Sequence, residues 1–339
     1  MSFISEIQKF KSLSIVGLEK NTGKTVCLNY ILERLPSSGY SVAVTSIGID
    51  GESKDQVTGT QKPEIVLKEG TIFSTSEVFY ARRRLLSELL EITNERSSLG
   101  RIVTARVLRR GKVLLSGPSS AQALKRWVKG VEKFSPNLTI VDGALSRLSS
   151  ASPVVSESLI LTTGAAYSVD MATLVRRTKF IVELVGLDRA KEEIRSAFDD
   201  KESGVWGLDD KGELIDFHLE SSLTIDNSKE DITGRSRAVY VAGALTDRFL
   251  KMIADSRRVK EITLVVRDFT KIFVTEEAYR SFLKRGGCIK VLQKSRLIAV
   301  CVNPVSPRGI VLDSDKLCEK MYEAVKVPVY DIVKNRETI

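Results

Sequence analysis

Short apolar runs alternate with longer stretches whose apolar residues fall on one helical face, along most of the chain. Leu13 to Val16 reads as a buried strand, and Val26, Leu28, Ile31, Leu32 and Leu35 mostly share one face of a following helix. Pro36 to Gly39 breaks that helix, and Tyr40 to Ile47 predicts a second strand. Gly48 to Pro63 is polar and reads as a loop beyond that strand's carboxyl end. Ser76 is placed to cap a helix from Glu77 to about Ile92. Arg101 to Leu115, with a turn at Arg110-Gly111, predicts a strand pair, and Ala121 to Phe134 another helix. Leu138 to Val141 is a buried strand ending in Asp142-Gly143-Ala144. Ser158 to Thr162 follows as a strand, then Met171 to Val185 as a helix. The segment 191–231 is more polar, carries turns at Asp209 to Gly212 and at Asp226-Asn227, and is the candidate insertion. Strand patterns resume at Ala238 to Ala242, Ile262 to Val266 and Leu297 to Val302. Such alternation predicts an α/β protein with a mainly parallel sheet covered on both faces.

The junction after the first strand narrows this picture. Ser14-Ile-Val-Gly17-Leu-Glu19-Lys20-Asn21-Thr22-Gly23-Lys24-Thr25 leads from strand through a glycine-bearing loop into a helix, the order of a phosphate-binding loop. Backbone N–H groups from Gly17 through Val26 and the positive helix end would face an anion. Lys24, read as a solvent-side loop residue, would place its ammonium at the outer phosphates, and the Thr25 hydroxyl would hold Mg²⁺. Five residues separate Gly17 from Gly23, one more than the usual spacing, so Leu18 stands where the first glycine normally stands. This Gly-x5-Gly-Lys-Thr loop is similar to that of dethiobiotin synthetase and related enzymes. It is less similar to the ParA and nitrogenase-iron-protein loop, where Glu19 would be lysine. The chain therefore reads as one elaborated three-layer P-loop NTPase domain over 1–339, with 191–231 as an insertion in it.

Two acidic positions would complete a nucleotide site. Asp142 ends an apolar strand where a Walker-B-type carboxylate sits, within reach of Mg²⁺ directly or through water. Asp50 ends the second strand, with Glu52 and Asp55 following. Ligands in open α/β sheets bind beyond the strands' carboxyl ends, which puts both aspartates beside the loop. Mg²⁺ takes hard oxygen ligands and keeps several waters, so Thr25, Asp50 and Asp142 form a sufficient set. Lys24, Asp50 and Asp142 are the candidate catalytic groups. No Asn-Lys-x-Asp follows a late strand, which favours ATP over GTP, and Asn303 after Leu297 to Val302 is the candidate adenine contact.

Composition and charge trim the alternatives. No apolar run approaches the about 20 residues that span a bilayer, and no signal-peptide core opens the chain, so a cytoplasmic protein without a membrane segment is expected. Cys27, Cys288, Cys301 and Cys318 lack CxxC spacing and read as reduced thiols, Cys27 as a buried structural one. His218 is the only histidine and sits in an alternating strand-like segment, which argues against histidine catalysis. The net charge of +9 gathers at Arg82-Arg83-Arg84, at Arg106 with Arg109-Arg110-Lys112, at Arg176-Arg177 and at Arg257-Arg258. Aromatic residues, 6% of the chain, do not interleave with these clusters, so nucleic acid is disfavoured as a partner.

Four segments together resemble one family: Gly17 to Thr25, Thr45-Ser-Ile-Gly-Ile-Asp50-Gly-Glu52, Thr58-Gly-Thr-Gln-Lys-Pro63 and Val141-Asp-Gly-Ala144. They look like P-loop proteins associated with adenosylcobalamin-dependent amino-acid aminomutases, the lysine 5,6-aminomutase reactivase subunits. The resemblance covers about the first 145 residues and, more loosely, Asn303 to Asp331. Ile49 stands where the family more usually has arginine. The resemblance implies a Mg·ATP-driven partner of a MutS-like ATPase subunit and of the aminomutase, exchanging damaged cobalamin on the mutase. A homodimer is left open.

Three functions follow as expectations. The first is this reactivase ATPase, with the loop 48–63 ordered by γ-phosphate and Mg²⁺ and released afterwards. The second is a ligase or kinase of the dethiobiotin-synthetase type, with Lys20, Lys24 and Arg308 clamping a small carboxylate. The third is a nucleic-acid-associated ATPase using the arginine clusters.

Overall fold

The apolar run at the start of the chain becomes the centre of the larger of two sheets. The computed structural model describes residues 3–36, 38–47, 65–97, 99–144, 152, 155–223 and 229–334. Asp50, Glu52, Asp55, the segment Thr58 to Pro63 and the turn Asp226-Asn227 lie outside the described residues. The elements run α1 (Phe3–Ile7), β1 (Ser12–Gly17), α2 (Lys24–Arg34), β2 (Val42–Ser46), β3 (Ile65–Leu67), β4 (Ile72–Ser76), α3 (Glu77–Ala81), β5 (Arg84–Ser97), β6 (Gly100–Val113), α4 (Ala121–Val131), β7 (Leu138–Ala144), β8 (Ser158–Gly164) and α5 (Met171–Val185). They continue as α6 (Glu192–Phe198), β9 (Val205–Leu208), β10 (Leu214–Leu219), α7 (Lys229–Arg235), β11 (Ala238–Val241), β12 (Leu245–Thr246), α8 (Asp247–Ala254), β13 (Thr263–Val266), β14 (Ile272–Phe273), α9 (Glu276–Lys284), β15 (Cys288–Val291), β16 (Arg296–Asn303), α10 (Ser314–Val325) and β17 (Val329–Asp331).

Where the sequence reads as one domain with an insertion at 191–231, the chain divides into two compact units. One comprises 1–179 and 295–339, the other 180–294. The reason lies in the second unit's own sheet, ordered β10-β9-β11-β13-β15. Strands β11, β13 and β15 run parallel, and β9 pairs antiparallel with β11. That sheet builds a separate core, in which Phe198 stacks on Tyr240 with ring centroids 5.1 Å apart. The polar segment read as an insertion thus falls within this second unit, with β10 at the edge of its sheet.

The first unit carries the sheet β17-β16-β8-β1-β7-β2-β4-β6-β3, with β5 pairing β6. Pairing is parallel from β17 through β4 and antiparallel around β6. Successive residues of a strand point to opposite faces. Ile140 and Val44 accordingly pack with Leu28 and Ile31 of α2, whereas their neighbours Val141 and Ala43 pack toward Leu124 and Trp127 of α4. Helices therefore cover both faces of a mainly parallel sheet, an α/β arrangement compatible with three layers.

Two expected elements differ. The helix expected from Glu77 to Ile92 stops at Ala81, and β5 replaces its remainder. The apolar spacing of Leu85, Leu86, Leu89 and Ile92 suits a helix face, but pairing along β6 offers more hydrogen-bonded and apolar contact than an isolated helix. The turn expected at Arg110-Gly111 is absent because β6 runs straight through. A Cβ at Gly111 would lie 2.3 Å from the carbonyl oxygen of Arg84, so glycine there permits close strand approach. Among the described residues, no helix is long and apolar enough to cross a membrane.

Candidate functional site

Strand β1 lies between β7 and β8, and the loop 18–23 leaves its carboxyl end to open α2. Gly17 ends the strand, in register with Ala144 on one side and Thr162 on the other. Leu18 turns inward, buried, and its N–H donates to the Thr162 carbonyl at 2.9 Å. Glu19 and Lys20 face solvent, and the Glu19 carboxylate accepts from the Lys20 N–H at 2.9 Å.

The loop's conformation is set by local chemistry. Asn21 takes a left-handed conformation (φ 62°), as does Gly23 (φ 91°). Asparagine tolerates that region better than most residues, and glycine occupies it without strain. Thr22 is 1% exposed; its hydroxyl donates to the Glu19 carbonyl at 2.9 Å and lies 3.1 Å from the Thr162 hydroxyl. One buried side chain thus ties the loop's crest to its own start and to β8. Gly23 is the N-cap of α2 and offers no side-chain oxygen to the helix's first amides. Those amides and the helix dipole make this end a place where an anion is stabilised.

Lys24 and Asp142 meet here. The Lys24 ammonium lies 3.1 Å from Asp142 Oδ1, and the side chains are only 16% and 6% exposed. Lys24 is therefore not the solvent-side residue the loop pattern suggests, because the first turn of α2 points it back across β1 toward β7. Asp142 lies inside β7, in register with Ile15 of β1 and Ser46 of β2, rather than at its end. Thr25 and Val26 follow in the first turn of α2, half-buried. Among the described residues, no three His, Cys, Asp or Glu side chains cluster to hold a metal. Of the expected ligand set, Thr25 and Asp142 are described; a hydroxyl and a carboxylate are donors that suit Mg²⁺ and leave room for water and phosphate oxygens.

Asn303, at the end of β16, joins the same loop. Its Nδ2 donates to the Asn21 carbonyl at 3.2 Å, and its Oδ1 accepts from the Val305 N–H at 3.0 Å. Asn303 thus braces the loop through Asn21 and packs near Gly23. Arg308 and Lys20 are both exposed, Arg308 within the turn 306–309.

One participant escapes a reading by motif. Thr162 anchors both Leu18 and Thr22, and the available signal is hydroxyl residues at the end of an otherwise apolar strand, Leu159-Ile-Leu161-Thr162-Thr163. Cys301 of β16 lies with its sulfur 3.7 Å from that of Cys27 in α2, both buried and both free thiols. The hydrogen bond with Cys301, then burial, pushes the Cys27 thiol well above its ordinary value. His218, in the second unit, is exposed on β10, and its backbone N–H donates to Asp216 Oδ1 at 2.8 Å. Several expected basic clusters are engaged locally, Arg258 with Glu261 at 2.7 Å and Arg106 with Glu88 at 3.4 Å.

No family model matches this chain, and no curated protein or solved structure matches it with significance.

Proposed function

We propose that the chain is a P-loop NTPase that binds Mg·ATP at the loop 17–26 and hydrolyses it, as an ATPase of the reactivase type. The observation that carries the nucleotide reading is the buried Lys24–Asp142 ion pair at the start of α2. A lysine and a carboxylate held together beside an uncapped helix N-terminus suit a triphosphate with its divalent cation. The phosphates would take the ammonium, and the cation would take the carboxylate. Thr25 would add a hydroxyl ligand, and the amides of Gly17 through Val26 would line the phosphates. Bound Mg²⁺ would neutralise charge developing on the transferred phosphoryl group. Asp50 belongs to this proposal on sequence grounds only.

The reactivase reading rests on the resemblance in the first 145 residues. It assigns the chain a MutS-like ATPase subunit and an aminomutase as protein partners. Binding of ATP to the wild-type chain, measured by calorimetry with and without Mg²⁺, tests the nucleotide reading. Saturable, Mg²⁺-dependent binding is expected, and its absence would end the proposal. ATP hydrolysis rising on addition of the aminomutase tests the second part, while stimulation by a small carboxylate alone would favour a ligase.

A further inference from the structure

A partly open cavity of about 120 Å³ lies between α4 and the β5–β6 pair, within the first unit. Ile102 of β6, Trp127 and Val131 of α4, and Phe134 just beyond that helix give it apolar walls. The Trp127 indole N–H donates to the Thr104 hydroxyl at 3.0 Å, which fixes the ring against β6. An apolar space of about 150 Å³ holds one benzene molecule. This cavity therefore takes a body of about one ring, with a substituent leaving through its open side.

Two local features shape that space. Gly130 stands in the last turn of α4 and lines the cavity, and a Cβ added there would meet no heavy atom within 4 Å. Glycine is the least favoured helix residue after proline, and neither a close approach nor a left-handed backbone requires it at 130. What it leaves is room. The second feature is the register shift of β5 between Leu89 and Glu91. Neighbours on a regular strand point to opposite faces, whereas a bulge re-aims a side chain. Leu90 packs with Trp127 and Val131, and Glu91 lines the cavity on the same side.

Charge collects at the mouth. Glu91 pairs with Lys133 at 2.8 Å, and the Lys133 ammonium lies 5.1 Å from the centroid of the Phe134 ring. Arg126, one helical turn before Gly130, is exposed and borders the same space. Two cations thus stand against one carboxylate, a balance that favours an anionic group on whatever enters.

We propose that this cavity is a binding site for a small aromatic carboxylate. The ring would lie among Ile102, Trp127 and Val131, and the carboxylate would reach the mouth beside Arg126 and Lys133. Apolar walls with a few convergent polar groups are the usual make-up of a small-molecule site. The site is independent of the nucleotide reading.

The test is titration of phenylacetate into the full chain labelled with nitrogen-15, read by nuclear magnetic resonance. The two tryptophans, Trp127 and Trp206, give two indole N–H signals, told apart with Trp206→Phe. A saturable shift of the Trp127 signal is expected, with Trp206 unmoved and phenethylamine binding more weakly. Gly130→Leu should fill the cavity and weaken phenylacetate at least about tenfold, with an unchanged or higher thermal midpoint. Arg126→Gln should weaken phenylacetate about fivefold and leave benzyl alcohol unaffected. Three results would overturn the proposal. They are a Trp127 signal unmoved by about 20 mM phenylacetate, phenethylamine binding as tightly as phenylacetate, and undiminished binding by a folded Gly130→Leu. The first two are read on the wild-type chain and stand whether or not the variant folds.

Discussion

Lys24 Nζ and Asp142 Oδ1 lie 3.1 Å apart, joining the first residue of α2 to the middle of β7. The pair makes the charge of the candidate site part of the fold's stability. Removing one member of a buried pair takes away a charge that offsets the desolvation of the other.

Lys24→Ala should therefore lower stability by about 3 kcal/mol in urea unfolding. The double variant Lys24→Ala/Asp142→Asn should recover most of that loss, because no buried charge remains. Nucleotide binding should stay lost in both. Recovery of binding in the double variant would show that the remaining Asp142 carboxylate, and not the loss of the ammonium, abolishes binding in the single variant.

Thr22→Val tests the loop's internal tether. The valine keeps the volume but forfeits the hydrogen bonds to the Glu19 carbonyl and the Thr162 hydroxyl. A loss of about 1–3 kcal/mol is expected, since the Thr162 hydroxyl is left buried. Thr22→Ser should restore much of it. A stability difference under about 0.5 kcal/mol between Val and wild type would show the tether to be idle.

Gly23→Ala should be harmful for two separable reasons. The backbone there is left-handed, and an added Cβ would lie 2.8 Å from Ile332 Cδ1. Strain of about 1–2 kcal/mol is expected, read as a lower thermal midpoint. Adding Ile332→Val should relieve part of the cost; no relief would place the whole penalty in the backbone.

The cysteines give a pH prediction with a definite sign. Burial, then the Asp331 carboxylate, pushes the Cys318 thiol from its ordinary value up to about 11. A raised folded-state value favours the native state while the thiol is protonated. Its contribution is complete below about pH 9 and is lost as pH rises from 9 through 11. Cys318→Ser should flatten the stability profile over that window. Ellman's reagent at pH 8 should meanwhile reach Cys27 and Cys301 only on unfolding, and rapid native reaction at either would contradict their burial.

Phe198→Ala opens the core of the second unit and should cost about 3–5 kcal/mol. The fluorescence of Trp206, packed against that core, should report the transition, while Trp127 of the first unit serves as internal control. An unchanged Trp206 transition would mean that Phe198 and Tyr240 do not hold this unit together.

Local pattern carried much of this protein. The elements at Ser12–Gly17, Leu138–Ala144 and Met171–Val185 are legible because strand and helix periods are strong in those stretches. The loop 17–25, the single histidine at 218 and the lack of CxxC spacing among the cysteines were likewise matters of residue order. Tertiary structure decided what order cannot encode. It turned 84–92 from an apparent helix into part of a strand, gathered 180–294 into its own unit, and brought Lys24 to Asp142, Thr22 to Thr162 and Cys27 to Cys301. Each of these depends on partners far apart in the chain, or on competition between a local period and another strand. A sequence read a window at a time holds the periods, whereas pairing energy exists only once the strands have met.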